Sequence, residues 1–248
     1  MDGPHSASWN MAMDAAMLDA AGMGLAPATV RIYTWDEAAV TVGLHQDVGA
    51  GIDAAWCASE GIPVVRRPTG GRGILHGTDL TVSIAARIEA LPSDCRSVIE
   101  SYRYLSAGFV DALGSLGLDG RMGECERREL GGGDCFAARS RADVVTVAGR
   151  KLIGSAQRRQ GGALLQQSSI RYRRPAVAVA DVFRGPVEEG SYPLENVPVE
   201  QLTRSLARSF AGLFGTEPEK PVGPSGWEEE RCATLIRTFA PLSPGSNG

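Results

Sequence analysis

Two residues of this chain have the chemistry of a nucleophile and its activating cation. Cys135 stands in the segment GGGDCF, and Lys151 follows sixteen residues later. Lys151 is one of only two lysines among the 25 basic residues, and the others are all arginines. A lysine ammonium is a compact cation whose pKa moves on burial, and a nearby cation stabilises a cysteine thiolate. The pair predicts an enzyme that carries a group covalently on sulfur.

The remaining cysteines and the histidines favour structural roles. A free cysteine is usually a small buried apolar residue, but GGGD before Cys135 would make a poor core strand. Cys125 is flanked by Glu124 and Glu126, which disfavour a thiolate. The odd total of five cysteines, without a CxxC spacing, argues against a disulfide framework. The histidines at 5, 45 and 76 make no zinc pattern, so no metal site is expected.

The elements that position this pair are predicted from apolar periodicity and turn residues. Helices are predicted over 9–23 (with Asn10 as a cap), 53–60, 93–116, 199–213 and 227–239. Strands are predicted over 29–35, 39–43, 62–66, 80–85, 143–147, 151–153 and 163–172, with a hairpin turn at 148–150. Residues 218–224 read as a linker and 241–248 as a loose tail. Without regular βαβ alternation, this order indicates an α+β domain on a mixed sheet.

Composition narrows the class of protein. The 248 residues carry a formal net charge of −4, which argues against nucleic acid as the main partner. Arginines at 121, 127, 128, 139, 141 and 150 offer a basic surface for an acidic protein, or simply a solvated face. No secretory signal and no run of about 20 apolar residues is present, so we expect a cytoplasmic protein without a membrane partner.

A glycine-rich segment between two predicted strands is a second candidate site. It reads RRPTGGRGILH over residues 66–76. Gly70 and Gly71 permit positive φ and close backbone approach to a ligand, and Arg67 and Arg72 offer forked donors to phosphate or carboxylate. Neither a Walker loop nor a dinucleotide fingerprint fits. Alone, the segment is explained equally well as a structural turn with exposed arginines.

Four ordered motifs together resemble the lipoate-protein ligase and octanoyltransferase superfamily, which also includes the biotin protein ligases. They are NMAMD at 10–14, the tryptophan-to-glutamine segment at 35–46, RRPTGGRGILHGTDLTVSIA at 66–85 and GRKLIGSAQRRQGGALLQQSSI at 149–170. The resemblance implies a biotin/lipoyl protein ligase-like catalytic domain, with a mixed or antiparallel sheet packed with helices, over residues 1–215. Residues 216–248 would then be a C-terminal linker, a short helix and a loose tail.

Within that superfamily, GDCF at 133–136 is similar to the Ala-Cys-Phe segment of the cysteine-dependent octanoyltransferases and lipoyl amidotransferases. The resemblance implies transfer of an octanoyl or lipoyl group from acyl carrier protein, or from an already modified protein. The acceptor would be a lysine of a lipoyl-domain protein, such as the glycine cleavage H protein or the acyltransferase subunit of a 2-oxoacid dehydrogenase. No cofactor is implied, because exchange of one thioester for another needs no nucleotide.

The resemblance also assigns residues. Cys135 and Lys151 are the catalytic pair, with Lys151 as cation and as proton acceptor for the incoming amine. The substrate-binding set is Arg67, Thr69, Gly70, Gly71, Arg72, His76, Gly154, Ser155 and Ala156, the last three supplying backbone amides to an oxyanion. One departure is Gln167-Ser168, where the family usually has histidine and glycine; it is expected to alter the acyl channel or the carrier contact.

Two other functions stay open on the sequence. An ATP-dependent lipoate or biotin ligase would use Arg67, Arg72 and Lys151 to bind an acyl-adenylate, with ATP and Mg²⁺. Such ligases generally lack the cysteine and often carry a second C-terminal domain, for which little of this chain remains after residue 215. The other alternative is a non-catalytic relative that binds a carrier protein.

Overall fold

The structure is a computed structural model that describes residues 2–123, 132–137, 143–188, 192–217 and 220–245. Ten strands are described: β1 Pro4–His5, β2 Thr29–Trp35, β3 Ala39–Val42, β4 Val64–Arg66, β5 Ile74–His76, β6 Leu80–Arg87, β7 Gly120–Met122, β8 Val144–Thr146, β9 Lys151–Gln160 and β10 Ala163–Ile170. The described helices are α1 Ala7–Met23, α2 Val48–Gly51, α3 Ala54–Ser59, α4 Val98–Ser115, α5 Val179–Val182, α6 Val199–Leu213 and α7 Gly226–Leu235. Short 3₁₀ turns occupy Ile88–Ala90, Ser93–Cys95 and Ile236–Phe239.

The strands form two sheets. The larger has the order β1-β2-β6-β10-β9-β8-β7, and the smaller has the order β4-β3-β5. In the larger sheet β1 pairs parallel to β2 and the other pairs are antiparallel; in the smaller, β3 is parallel to β4 and antiparallel to β5. The predicted α+β class with a mixed sheet and helices against it is confirmed.

Helices cover both faces of the large sheet. Side chains alternate between the two faces along a strand, so one strand can pack against both helical layers. Ile84 of β6 and Leu164 of β10 point to one face, where they pack with residues of α4 and α6. Ala85 and Leu165 point to the other face, where α1 covers them. All eight residues of β10 are consequently buried, which is typical of a strand between two helical layers.

Helix ends differ from the sequence predictions where a capping side chain decides them. The first helix begins after Ser6, whose hydroxyl accepts from the Trp9 amide, so the prediction of Asn10 as cap was wrong. Asn10 is buried and donates to backbone oxygens of two strands. The helix predicted over 93–116 begins only after Ser97, which caps α4 through the Glu100 amide.

The C-terminal region is packed onto the rest of the chain. Ser225 and Glu228 form a reciprocal capping box at the start of α7, and Cys232 of α7 is buried against α1. The prediction of a loose tail from residue 241 was wrong at Leu242, whose amide donates to the Val64 carbonyl at 2.7 Å. The domain boundary at residue 215 stays a prediction.

Candidate active site

The segment that carries Cys135 is held by backbone contacts that only glycine permits. The Gly73 amide donates to the Gly133 carbonyl at 2.8 Å, and the Cys135 amide donates to the Gly73 carbonyl at 2.8 Å. A β-carbon on Gly133 would lie 1.8 Å from the carbonyl oxygen of Gly51. The glycines before Cys135 therefore join the two glycine-rich segments of the sequence, and this junction fixes the position of the cysteine.

A β-bulge aims Lys151 at the same place. Val144 pairs with Ile153, but Val145 pairs with Lys151, so Leu152 is an extra residue in β9. Leu152 and Ile153 accordingly both belong to the core under α4. In a regular strand Lys151 would share that face with Ile153. The bulge turns it to the opposite face, which is a common function of bulges beside active sites.

The structure brings the predicted catalytic pair into contact. Lys151 Nζ lies 3.5 Å from Cys135 Sγ and donates to the Cys135 carbonyl at 3.0 Å. It also lies 3.0 Å from Asp143 Oδ1. Lys151 is 3% exposed, whereas Cys135 is half-buried and accessible from the pocket described below.

The electrostatics of this cluster favour a cationic lysine. Burial acts to lower the pKa of Lys151, but attraction to Cys135 and to Asp143 outweighs it and raises the pKa above its ordinary value. A lysine with a raised pKa is protonated at neutral pH and attracts a thiolate. The arrangement suits a nucleophilic cysteine paired with a fixed cation.

Arg67 secures the glycine-rich loop and has no N–H left over for a ligand. A guanidinium has five N–H groups to donate. Those of Arg67 donate two hydrogen bonds to the Gly70 carbonyl, one each to the Arg72 and Thr41 carbonyls, and one to the Thr41 hydroxyl. Burial lowers the pKa of Arg67, and Cys135 opposes that shift. The free forked donor expected from the sequence is therefore a structural clamp that lies at the pocket wall.

A pocket of about 400 Å³, part of which is open to solvent, lies beside Cys135. It is lined by Met11, Tyr33, Trp35, Thr41, Arg67, Gly71, Ile74, His76, Thr81, Cys135, Gly154, Ser155, Ala156, Gln167, Ser168 and Ser169. Six of the nine predicted substrate-binding residues are in this set. The other three, Thr69, Gly70 and Arg72, are not, and Thr69 is fully buried.

The amides predicted to hold an oxyanion belong to β9. Gly154, Ser155 and Ala156 pair with Ser169, Ser168 and Gln167 of β10. Alternate residues of an antiparallel strand direct their amides to the partner strand. The three amides therefore cannot all face a substrate, and the predicted set is too large.

His76 is fixed in the pocket wall. Its ring stacks on Trp35 with centroids 3.8 Å apart. Its Nε2 lies 2.8 Å from the Thr41 hydroxyl, and its Nδ1 lies 2.8 Å from Asp79 Oδ2. Burial acts to raise the pKa of Asp79, but His76 and hydrogen bonds from hydroxyl groups lower it overall. With both nitrogens engaged, His76 shapes the pocket.

Two functional candidates were missed by the sequence reasoning. Asp143 contacts Lys151, and its only signal was a carboxylate at the start of the strand beside β9. Asp14 is fully buried and accepts bonds from Arg31, Tyr33, Ser83 and Gln167. Gln167 in turn accepts from the Thr69 hydroxyl at 2.7 Å, so the departure noted in the sequence links α1 to the glycine-rich loop. Asp14 did stand in a quoted motif, NMAMD.

Some predictions fall on residues that lie outside the described ranges. They concern Cys125 with its flanking glutamates and the arginines at 127, 128, 139 and 141. Within the described ranges, no group of three or more histidine, cysteine, aspartate or glutamate side chains is arranged to hold a metal ion. Among the helices of the described part of the chain, none is both long and apolar enough to span a bilayer.

Comparisons with known proteins agree on one family. A model of the lipoyl protein ligase A/B catalytic domain matches residues 6–210. An octanoyltransferase LipM from Kyrpidia tusciae is 37% identical over 259 aligned residues, which cover 96% of this chain and 93% of that protein.

Two solved structures share the fold. A lipoate-protein ligase A bound with ATP matches with a TM-score of 0.81 at 21% identity, over 96% of this chain and 92% of that one. A bipartite lipoate protein ligase from Thermoplasma acidophilum, described with its E2 lipoyl domain, matches with a TM-score of 0.75 at 20% identity, over 96% and 90% of the two chains. At such identities these structures inform the fold alone.

Proposed function

Because the chain belongs to the lipoyl protein ligase A/B catalytic domain family, we propose that it transfers an octanoyl group in protein lipoylation. The group moves from a carrier-protein thioester, through a thioester on Cys135, to a lysine of a lipoyl domain. The observation that carries this proposal is the buried Lys151 ammonium 3.5 Å from Cys135 Sγ, at the wall of the pocket. The octanoyltransferase relative supports the choice of acyl group.

The pocket suits an eight-carbon chain that ends at the cysteine. Apolar side chains from three elements line it: Met11 of α1, Trp35 of β2 and Ile74 of β5. Each methylene buried there would contribute about 0.8 kcal/mol. Gly71 and Gly154 add no side chain to the pocket wall, and Gly154 lies next to Cys135.

In the first step, the Cys135 thiolate attacks the donor carbonyl. A carbon–sulfur bond to Cys135 forms, the bond to the carrier sulfur breaks, and the carrier leaves as a thiolate that takes a proton from solvent. Lys151 stabilises the attacking thiolate as a cation. One thioester replaces another, so no nucleotide is consumed.

In the second step, the uncharged amine of the acceptor lysine attacks the acyl-enzyme. A carbon–nitrogen bond forms, the nitrogen loses its proton to solvent, and Cys135 leaves as a thiolate beside Lys151. Formation of an amide from a thioester is downhill. To accept a proton from the incoming amine as well, Lys151 would have to be an uncharged amine. The raised pKa of Lys151 disfavours that form in the free enzyme.

The ATP-dependent ligase is the main alternative, and Arg67 weighs against it. That function was expected to use Arg67, Arg72 and Lys151 on an acyl-adenylate, yet every Arg67 N–H bonds to protein oxygens. A lipoyl amidotransferase would use the same Cys135 chemistry with a lipoylated protein as donor.

Intact mass spectrometry tests the proposal. After mixing with octanoyl-carrier protein and no ATP, the enzyme mass should rise by one octanoyl group that hydroxylamine removes, and Cys135→Ser should show no gain. A gain only with a lipoylated protein donor would identify the amidotransferase. An unchanged mass, together with adenylate formation from octanoate and ATP, would sink the proposal in favour of the ligase.

A further inference from the structure

Asp143 is a buried carboxylate in direct contact with the catalytic pair, and the mechanism above gives it no role. Its Oδ1 lies 3.0 Å from Lys151 Nζ, and its side chain is 2% exposed. It directly precedes β8, and its carbonyl accepts from the Gly123 amide of the segment after β7. Asp143 is therefore anchored by its backbone at the strand that pairs with the start of β9.

The buried Lys151 ammonium requires an opposite charge nearby, and Cys135 provides one during only part of a reaction cycle. A buried ammonium is costly unless an opposite charge compensates it. A thiolate at Cys135 provides that charge, but an acylated sulfur is neutral. During the lifetime of an acyl-enzyme, the carboxylate of Asp143 would still contact the ammonium and carry the opposite charge.

We propose that Asp143 is a positioning residue that holds the Lys151 ammonium against Cys135, both when the sulfur is a thiolate and when it carries an acyl group. The acyl-enzyme half of this inference rests on the proposed function, whereas the contact with Lys151 does not. A fixed ammonium is ready to stabilise the thiolate that departs when the acceptor amine displaces it. Lys151 then acts as a cation in both steps.

Other groups around the cluster act at longer range or are engaged elsewhere. Arg67 and Arg171 interact electrostatically with Cys135, Tyr102 interacts with Asp143 and Cys135, and Asp134 interacts with Lys151. Asp134 accepts from the Phe136 amide through Oδ1. The Phe136 ring lies 5.5 Å from Lys151 Nζ. Asp143 is thus an acidic side chain of the described residues that holds the ammonium by direct contact.

The two-lysine composition permits a direct measurement that needs no activity. Lysine labelled with ¹³C at Cε gives two signals, one from Lys151 and one from the exposed Lys220, which is an internal reference. The Cε shift reports the charge of each amine as pH is raised. Cys135→Ser supplies a neutral side chain that mimics the charge of the acylated sulfur.

In Cys135→Ser, Lys151 should stay an ammonium well above neutral pH, because the carboxylate of Asp143 still contacts it. In Cys135→Ser/Asp143→Asn, its titration midpoint should fall by about two pH units or more, because burial then acts on the ammonium without the carboxylate that contacts it. Asp143→Glu in the same background should restore most of the shift. Lys220 should titrate identically in all three proteins.

Two results would overturn the inference. One is a Lys151 midpoint in Cys135→Ser/Asp143→Asn equal to that in Cys135→Ser. The other needs no aspartate variant and does not depend on the folding of one. It is a Lys151 midpoint in Cys135→Ser that lies well below the Lys220 midpoint of the same protein, which would mean that the sulfur alone had kept the lysine charged. Neither result bears on whether Cys135 accepts an octanoyl group, which the mass measurement decides separately.

Discussion

Gly154 lies against the Lys151 side chain so closely that a β-carbon on it would be 2.9 Å from Lys151 Cε. The same β-carbon would lie 3.3 Å from Lys151 Nζ and 3.4 Å from Cys135 Sγ. The absence of a side chain at this position is what lets the buried cation reach the sulfur. Glycine is required here for space, since its φ is not in the left-handed region.

Gly154→Ala should therefore separate Lys151 from Cys135 and slow alkylation of Cys135 by iodoacetamide at pH 7 by about tenfold, because the displaced cation no longer stabilises the thiolate. Gly212→Ala in α6 is the matched control, because its β-carbon meets nothing within 4 Å. That control should leave alkylation unchanged and leave stability unchanged or slightly higher. Equal alkylation rates in the two variants would show that Gly154 does not set the contact.

Lys151→Met removes the ammonium and leaves an unbranched side chain of similar length. We expect alkylation of Cys135 by iodoacetamide at pH 7 to slow by about tenfold or more, because the cation that stabilises its thiolate is gone. Cys95, which is partly exposed, serves as an internal control whose alkylation rate should not change. Peptide mapping by mass spectrometry distinguishes the two cysteines. A Cys135 alkylation rate equal to that of the wild-type enzyme would show that Lys151 does not activate the nucleophile.

The two glycines of the loop should respond differently to substitution. Gly71 has φ +92°, and a β-carbon there would lie 2.8 Å from Arg67 Nη2, whereas a β-carbon on Gly70 meets nothing within 4 Å. Gly71→Ala should cost about 1–3 kcal/mol of backbone strain and displace the clamp. Transfer should be lost in Gly71→Ala and retained in Gly70→Ala, measured as octanoyl-enzyme formation.

Gln167→Glu should place a carboxylate beside the buried Asp14, to which Gln167 Nε2 now donates at 2.7 Å. Two like charges in contact raise the pKa of one of them, so the variant should be destabilised at pH 7 and partly rescued as the pH falls and the new acid protonates. Gln201→Glu, the same change at an exposed position of α6, should change stability by about 0.5 kcal/mol at most. Urea unfolding at pH 7 and pH 5 measures both. A destabilisation that is the same at both pH values would contradict the charge argument.

Asp134→Asn should stabilise the protein at neutral pH. Burial raises the pKa of Asp134, although the Phe136 amide and Arg171 oppose the shift, and its Oδ2 has no hydrogen-bond partner within the described part of the chain. A carboxyl whose folded pKa lies above its unfolded value weakens stability as pH rises through that interval, and the penalty vanishes below the unfolded pKa. The gain in unfolding free energy should thus be present at pH 7 and absent near pH 3. Asp119→Asn on the surface should show no such difference, and a gain at both pH values would exclude ionisation as its cause.

Much of the fold followed from periodicity because the long elements bury one or both faces. The helix over 199–213 and the strand Thr29–Trp35 were predicted at their observed ends. Errors arose at the ends of elements. Ser6 and Ser97 cap helices that were predicted to start elsewhere, and β9 has ten residues where three were predicted. Local side-chain bonds and cross-strand pairing decide such ends, and apolar periodicity carries neither.

The sequence by itself identified the candidate pair, since a cysteine among glycines and one of only two lysines in an arginine-rich chain are visible without any fold. Only the tertiary structure decided what surrounds the pair. The bulge at Leu152 turns Lys151 to the pocket face, and Asp143 then meets it. Arg67 is a structural clamp because its N–H groups donate to backbone carbonyls of its own loop and of β3. The reason is that a side chain's partners depend on which backbones and side chains pack beside it, and those come from segments far apart in the chain.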